Sequence, residues 1–209
     1  MTSDVIGLAD GRRLHWHEFG NPVGAPVLYT AGTPVSGLGG ATYDETARAA
    51  GLRWISPDKP GYGSSDYQRK RSVSGWSDDL ATLASHLGLD HFALVGESGG
   101  VPFTLTAAHR LADRVSVVAL IASGGPIGPD ERVAQKARHR VRGWLARNAP
   151  ALNTIQIAAM RWTSPARLER SLRRDLAATP EAKHAALRIE YAAVAEALRP
   201  GTRATVQEL

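Results

Sequence analysis

The stretch HFALVGESGGVPFTLTAAHRLADRVSVVALIAS, residues 91–123, narrows the possible folds more than any other part of the chain. Two short apolar runs, HFALVG (91–96) and VSVVALIAS (115–123), are separated by a glycine-rich turn and a helical stretch. Runs that are apolar on both faces and bounded by turns predict central parallel strands covered by helices. A strand, a tight turn and a returning helix then fix the direction of the next strand.

The preceding residues continue the same alternation. DVIGL and RRLHWHEFG flank the turn ADG, which predicts an opening antiparallel pair. PVLYTA (26–31) and RWISPD (53–58) lie either side of the helical ATYDETARAAG, and a further helix is predicted from about 77 to 88. Together these elements predict an α/β sheet with an antiparallel start, parallel strands after it and helices on both faces. Beyond Pro129 the chain becomes rich in Ala, Arg and Leu. There Ser164-Pro165 and Thr179-Pro180 each set an N-cap residue before a proline at the first helical position. Leu168, Leu172 and Leu176 repeat at helical spacing with arginines between them, which predicts an amphipathic helix packed on a neighbour.

Ser98 sits within GESGG in the spacing G-x-S-x-G. The spacing alone is compatible with an ordinary turn. Its context, between an apolar strand and a helix, is what a nucleophile elbow requires. Glycines on both sides permit a strained backbone, and the helix N-terminus favours developing negative charge. A second turn, AGTPVSG (31–37), lies at the carboxyl end of a neighbouring strand, where ligands of open α/β sheets gather. The backbone N–H groups of Thr33 and Gly99 are the expected oxyanion hole.

A third dense turn, SPDKPGYGSSD (56–66), completes a set with HWHEFGNP, AGTPVSG and LVGESGG. In this order and spacing the motifs resemble the α/β-hydrolase fold family, in its branch of small proline iminopeptidase-like and esterase-like serine hydrolases. The resemblance covers about residues 4–128. It implies a hydrolase core over residues 1–128 and a helical cap over 129–209. It also implies acyl transfer on a small ester or amide, with no cofactor. Ala31 departs from the pattern, since many relatives carry histidine before the glycine. Members of this fold that open epoxides or displace halide need an aspartate nucleophile, because their intermediate is an alkyl ester. Ser98 therefore implies acyl transfer.

The resemblance also exposes a gap. Its chain order is Ser, then Asp or Glu, then His, so both partners of Ser98 must follow it. Asp130 is the one stand-in considered for the acid, while Glu97 is expected to point to the other side of the turn. No base is found. His109 lies 11 residues along the helix leaving the elbow, His139 and His184 lie among cap arginines, and His86 and His91 flank a loop before the strand. The expectation is a piece of a longer protein that lacks the last two strands, with little hydrolase activity of its own. VSVVALIAS would then be an apolar sheet edge prone to self-association or to capture by a complementing chain. A non-catalytic binding module of the same fold is the alternative.

The remaining features restrict function by exclusion. With no cysteine among 209 residues, disulfides, thiol catalysis and thiolate metal sites are ruled out. His15 and His17 share a strand face, but a pair without a third ligand predicts no metal site. Residues 1–130 carry 10 basic and 13 acidic side chains, against 15 and 7 for residues 131–209. The basic half lacks organised stacking aromatics, so a solvated cap surface is expected rather than a nucleic-acid groove. No apolar run spans a bilayer and no leader is evident, so a cytoplasmic, non-membrane protein is expected. Trp144, Ile155, Met160 and Trp162 are the expected lining of the substrate cleft.

Overall fold

The computed structural model describes residues 2–123, 165–201 and 204–205. Asp130, His139, Trp144, Ile155, Met160 and Trp162 lie outside the described residues.

Six strands form one sheet: β1 (Thr2–Gly7), β2 (Arg13–Gly20), β3 (Ala25–Thr30), β4 (Leu52–Pro57), β5 (Phe92–Glu97) and β6 (Val115–Ile121). Their order across the sheet is β1-β2-β4-β3-β5-β6. The β1–β2 and β2–β4 pairs are antiparallel, and the β4–β3, β3–β5 and β5–β6 pairs are parallel. The antiparallel start and parallel continuation are those expected from the sequence.

Alternation along the strands builds two apolar layers, because successive side chains leave opposite faces of a pleated sheet. Leu28, Ile55 and Leu94 join Trp76, Leu80 and Leu83 of helix α2 (Val73–His86), together with Phe103 and Ala107 of helix α3 (Val101–Arg110). Their neighbours Val27, Tyr29, Trp54 and Val95 turn to the opposite face and meet Ala47 of helix α1 (Asp44–Ala49). Trp76, Leu80 and Leu83 are wholly buried at helical spacing. Each such side chain contributes about 1.5–3 kcal/mol by leaving water.

Helix α2 begins at Val73, earlier than the predicted position near 77. Ser72 caps it, its Oγ accepting from the N–H of Gly75 at 2.9 Å. Gly75 in the first turn weakens the helical pattern and hides this start from the sequence.

Two long helices are described beyond the sheet, α4 (Pro165–Ala177) and α5 (His184–Leu198). Leu168, Leu172 and Leu176 are half-buried and Arg167, Arg170, Arg173 and Arg174 exposed, as the amphipathic pattern predicts. Pro180 instead precedes a short 3-10 turn, Glu181–Lys183, and the α-helix starts only at His184. The Tyr191 hydroxyl donates to Asp175 at 2.5 Å, joining α5 to α4. Helix α5 packs over the 3-10 segment Gly37–Tyr43, where the N–H of Ser36 donates to the carbonyl of Ala193 at 3.3 Å. This contact brings α5 above the carboxyl ends of β3 and β5. Among the described residues no helix is long and apolar enough to cross a membrane.

Candidate functional site

Strand β5 ends at Glu97, and a 3-10 turn, Ser98–Gly100, leads directly into α3. Ser98 has φ +47°, in the left-handed region, and its side chain is exposed. A residue with a Cβ costs about 1–3 kcal/mol in such a conformation, so the surroundings must hold it there. The flanking glycines allow that packing. A Cβ on Gly96 would collide with Thr104 of α3, and one on Gly100 would collide with the carbonyl of Thr30 at the end of β3. The elbow is therefore pressed against both the helix and the neighbouring strand.

The AGTPVSG loop lies against the same turn. A Cβ placed on Gly32 would sit 3.2 Å from the Cβ of Ser98, and one on Gly99 would sit 3.2 Å from the backbone N of Thr33. The N–H of Val35 donates to the carbonyl of Gly32 at 3.1 Å, which closes the loop on itself. Lys59 fastens it from below. This lysine is 1% exposed, and its Nζ donates to the Gly32 carbonyl and to Thr33 Oγ1, both at 3.3 Å. Its ammonium lies 5.0 Å from the ring centroid of Tyr62 and 5.3 Å from that of Phe103. A buried charge needs partners of this kind. Nothing in the dense turn PDKPGYG marks Lys59 as buried, since lysine in a turn is ordinarily solvated.

Ser98 opens into a cleft of about 680 Å³. Tyr29, Gly32, Thr33, Tyr43 and Glu97 line it from the sheet side, and Thr179, Lys183, Leu187 and Glu190 from the helical side. This volume suits a small molecule. Glu97, expected to point to the other side of the turn, lines this same cleft. Its carboxylate accepts a very short hydrogen bond from the hydroxyl of Tyr29 and a longer one, 3.3 Å, from Tyr43. Burial, then the hydrogen bond to Glu97, pushes the Tyr29 hydroxyl far above the ordinary tyrosine range, and burial, then the Glu97 charge, pushes Tyr43 up to about 12. The pleat gives the reason for the placement: Tyr29 and Val95 share a face, and Glu97 follows Val95 by two residues.

The described histidines beyond Ser98 are His109 and His184, and neither lines the cleft. His109 is exposed near the far end of α3, and His184 Nε2 lies 2.9 Å from the carbonyl of Thr179. His15 and His17, by contrast, do acquire a third neighbour: Asp58, just beyond β4, has its Oδ2 2.9 Å from Nδ1 of His15. Burial and the neighbouring His15 hold His17 below the usual histidine range, whereas the hydrogen bond to Asp58 raises His15.

A sheet of this order, with an elbow serine between its fifth strand and the next helix, defines an α/β protein with a cleft at the carboxyl ends of its parallel strands. A model of the alpha/beta hydrolase fold matches residues 36–197, and the chain belongs to that family. Among curated relatives, haloalkane dehalogenase 2 of Mycobacterium tuberculosis and of Mycobacterium bovis is 29% identical over 136 residues, 62% of this chain. The match spans 44% of the length of those proteins, less than half. Among solved structures, an alpha/beta hydrolase fold protein from Nakamurella multipartita aligns over 99% of this chain and 73% of its own, with TM-score 0.60 and 21% identity. A hypothetical protein from Pseudomonas aeruginosa PAO1 aligns over 92% and 65%, with TM-score 0.58 and 23% identity. An epoxide hydrolase from Vigna radiata aligns over 78% and 51%, with TM-score 0.55 and 19% identity. At these identities the structural likenesses speak for the fold alone.

Proposed function

We propose that this chain carries the nucleophile, oxyanion and cap portions of a serine hydrolase that cleaves a small ester or amide through an acyl-enzyme. The core is proposed as residues 1–128 and the cap as 129–209. The observation that carries this reading is Ser98 itself, exposed at left-handed φ between β5 and α3 and open to the cleft. In the proposed reaction Ser98 Oγ attacks the substrate carbonyl carbon. The oxyanion that forms is held by the backbone N–H groups of Thr33 and Gly99, as the intermediate collapses and expels the alcohol or amine. Water then attacks the acyl-serine and releases the acid.

A base must take the proton of Ser98, and no histidine among the described residues lines the cleft. The 209-residue chain alone should accordingly turn over slowly, since loss of the base in a serine triad costs about 10⁶ in kcat. The same observation favours the second reading, a non-catalytic module that binds a small ligand in this cleft. The names of the dehalogenase and epoxide hydrolase relatives raise a third, displacement at an alkyl carbon. An aspartate suits that chemistry, because its alkyl ester can be hydrolysed at the carboxyl carbon, whereas an alkyl ether on Ser98 could not. A cytoplasmic location and self-association through residues 115–123 belong to this proposal as well.

The test compares two substrates on the purified chain. p-Nitrophenyl acetate should leave an acetyl group on Ser98 that accumulates because deacylation is slow, and 1-bromobutane should release no bromide. Bromide release that requires Ser98, or acetylation unchanged by Ser98→Ala, contradicts the acyl-transfer reading.

A further inference from the structure

Beside the 3-10 segment on which α5 packs, two strands bring metal-ligand chemistry together. His15 and His17 leave β2 on one face, and β4 runs antiparallel beside it with His17 opposite Ser56. Asp58, two residues further on, donates its N–H to the carbonyl of His15 at 2.9 Å. His15, His17 and Asp58 therefore share one patch, each offering a ligand atom within 4.8 Å of the others.

His17 is the anomaly in this patch. It is 5% exposed, yet among the described residues neither of its ring nitrogens has a hydrogen-bond partner. The hydroxyl of Ser56, its cross-strand neighbour, is likewise buried without a partner. Leaving such groups unpaired costs about 1–3 kcal/mol each, so an imidazole buried with both nitrogens open points to a missing ligand. From the facing helix α5, Glu196 brings a carboxylate oxygen to 3.9 Å from Nε2 of His17 and accepts from Ser36 Oγ at 2.5 Å.

The donor types suit a borderline cation, and ligand atoms spread over as much as 4.8 Å contract onto it on binding. A tetrahedral site with ligand bonds of about 2.0–2.1 Å has edges of about 3.3 Å. The 2.9 Å between His15 and Asp58 and the 3.9 Å between His17 and Glu196 bracket that edge. Two neutral imidazoles and two carboxylates neutralise a divalent ion. Asp58 also accepts from the N–H groups of Gly37 at 2.6 Å and Ser64 at 2.9 Å. Those bonds orient the carboxylate and leave capacity on it, because a carboxylate offers about four acceptor sites. Arg199, the nearby cation of α5's C-terminal end, is engaged with Ser64 Oγ at 3.0 Å.

We propose that His15, His17, Asp58 and Glu196 bind one divalent transition-metal ion of the zinc class, fastening helix α5 to the sheet. Four protein ligands make it a closed, structural site rather than a catalytic one. Binding exchanges the His15–Asp58 hydrogen bond for metal bonds: a neutral His15 shifts its proton to Nε2, and a protonated one releases one proton to solvent, so either way a neutral imidazole ligates.

The test titrates the chelator-dialysed 209-residue chain with Zn²⁺ by calorimetry and with Co²⁺ by visible absorption, with thermal unfolding alongside. One equivalent should bind, Co²⁺ should give the intense visible bands of tetrahedral coordination, and the unfolding temperature should rise with metal concentration. Glu196→Gln and His17→Gln should each weaken binding at least about tenfold. Glu196 keeps 19% of its side chain exposed and Gln matches its shape, so its variant decides the matter if His17→Gln fails to fold. Absence of saturable binding in the folded chain overturns the proposal. So does binding that Glu196→Gln leaves unchanged in a protein with native circular dichroism, since Glu196 would then be no ligand and the ion would not fasten α5 to the sheet.

Discussion

At the scale of single residues, the backbone of Ser98 contradicts its own stability. Left-handed φ costs a residue with a Cβ about 1–2 kcal/mol, and glycine pays nothing for it. Ser98→Gly should therefore stabilise the chain by about 1 kcal/mol in urea unfolding while abolishing acylation. A variant that loses stability would mean the serine is held there by contacts of its own rather than for its exposure. The tyrosines beside Glu97 give a second residue-scale expectation. Both hydroxyls titrate higher in the folded chain than the unfolded value of about 10. Their contribution is thus whole below about pH 10 and is lost as the pH climbs through about 12 for Tyr43. An ultraviolet titration should show Tyr29 and Tyr43 ionising late, beside Tyr191, which its hydrogen bond to Asp175 also raises, and Glu97→Gln should bring Tyr43 but not Tyr191 back toward its ordinary range. Simple titration of all five tyrosines near pH 10 would count against the buried cluster.

At the scale of elements, strand β6 is the weak point. Among the described residues it ends the sheet, pairing only with β5. Val117, Val118 and Leu120 are 59%, 39% and 40% exposed there, an apolar surface of the sort that recruits another chain. The isolated protein should run as oligomer or aggregate in size exclusion, and Val118→Lys should shift it toward monomer. A clean wild-type monomer contradicts this. Most elements were legible because period-two runs and glycine turns are local signals: β1 to β6, α3 and the leucine stripe of α4 lie close to where the sequence puts them. The start of α2 was not, because Gly75 masks a first turn that only the Ser72 cap reveals. The metal-ligand patch was not legible either. It depends on β2 lying beside β4, two strands separated in the chain by β3 and α1, and no local pattern announces that pairing. Glu97 reaches the cleft for a related reason, since the direction of its side chain follows from the pleat of β5 and from the two tyrosines that donate to it.

At the scale of the whole molecule, three separate stretches converge on one cleft. The elbow after β5, the loop after β3 and the helical segment around α5 meet above the carboxyl ends of the parallel strands, where open α/β sheets bind their ligands. Lys59 braces the loop, and Ser36 with Glu196 ties the helix to it. If this convergence serves a serine nucleophile, a covalent phosphonylating probe reads it out. The purified chain is incubated with a fluorophosphonate and digested, and the modified peptide is identified by mass spectrometry. The expected result is a slowly formed, stoichiometric adduct on the GESGG serine, Ser98, that vanishes in Ser98→Ala. A folded chain that stays unmodified after prolonged exposure, or one modified equally at other serines, would contradict it.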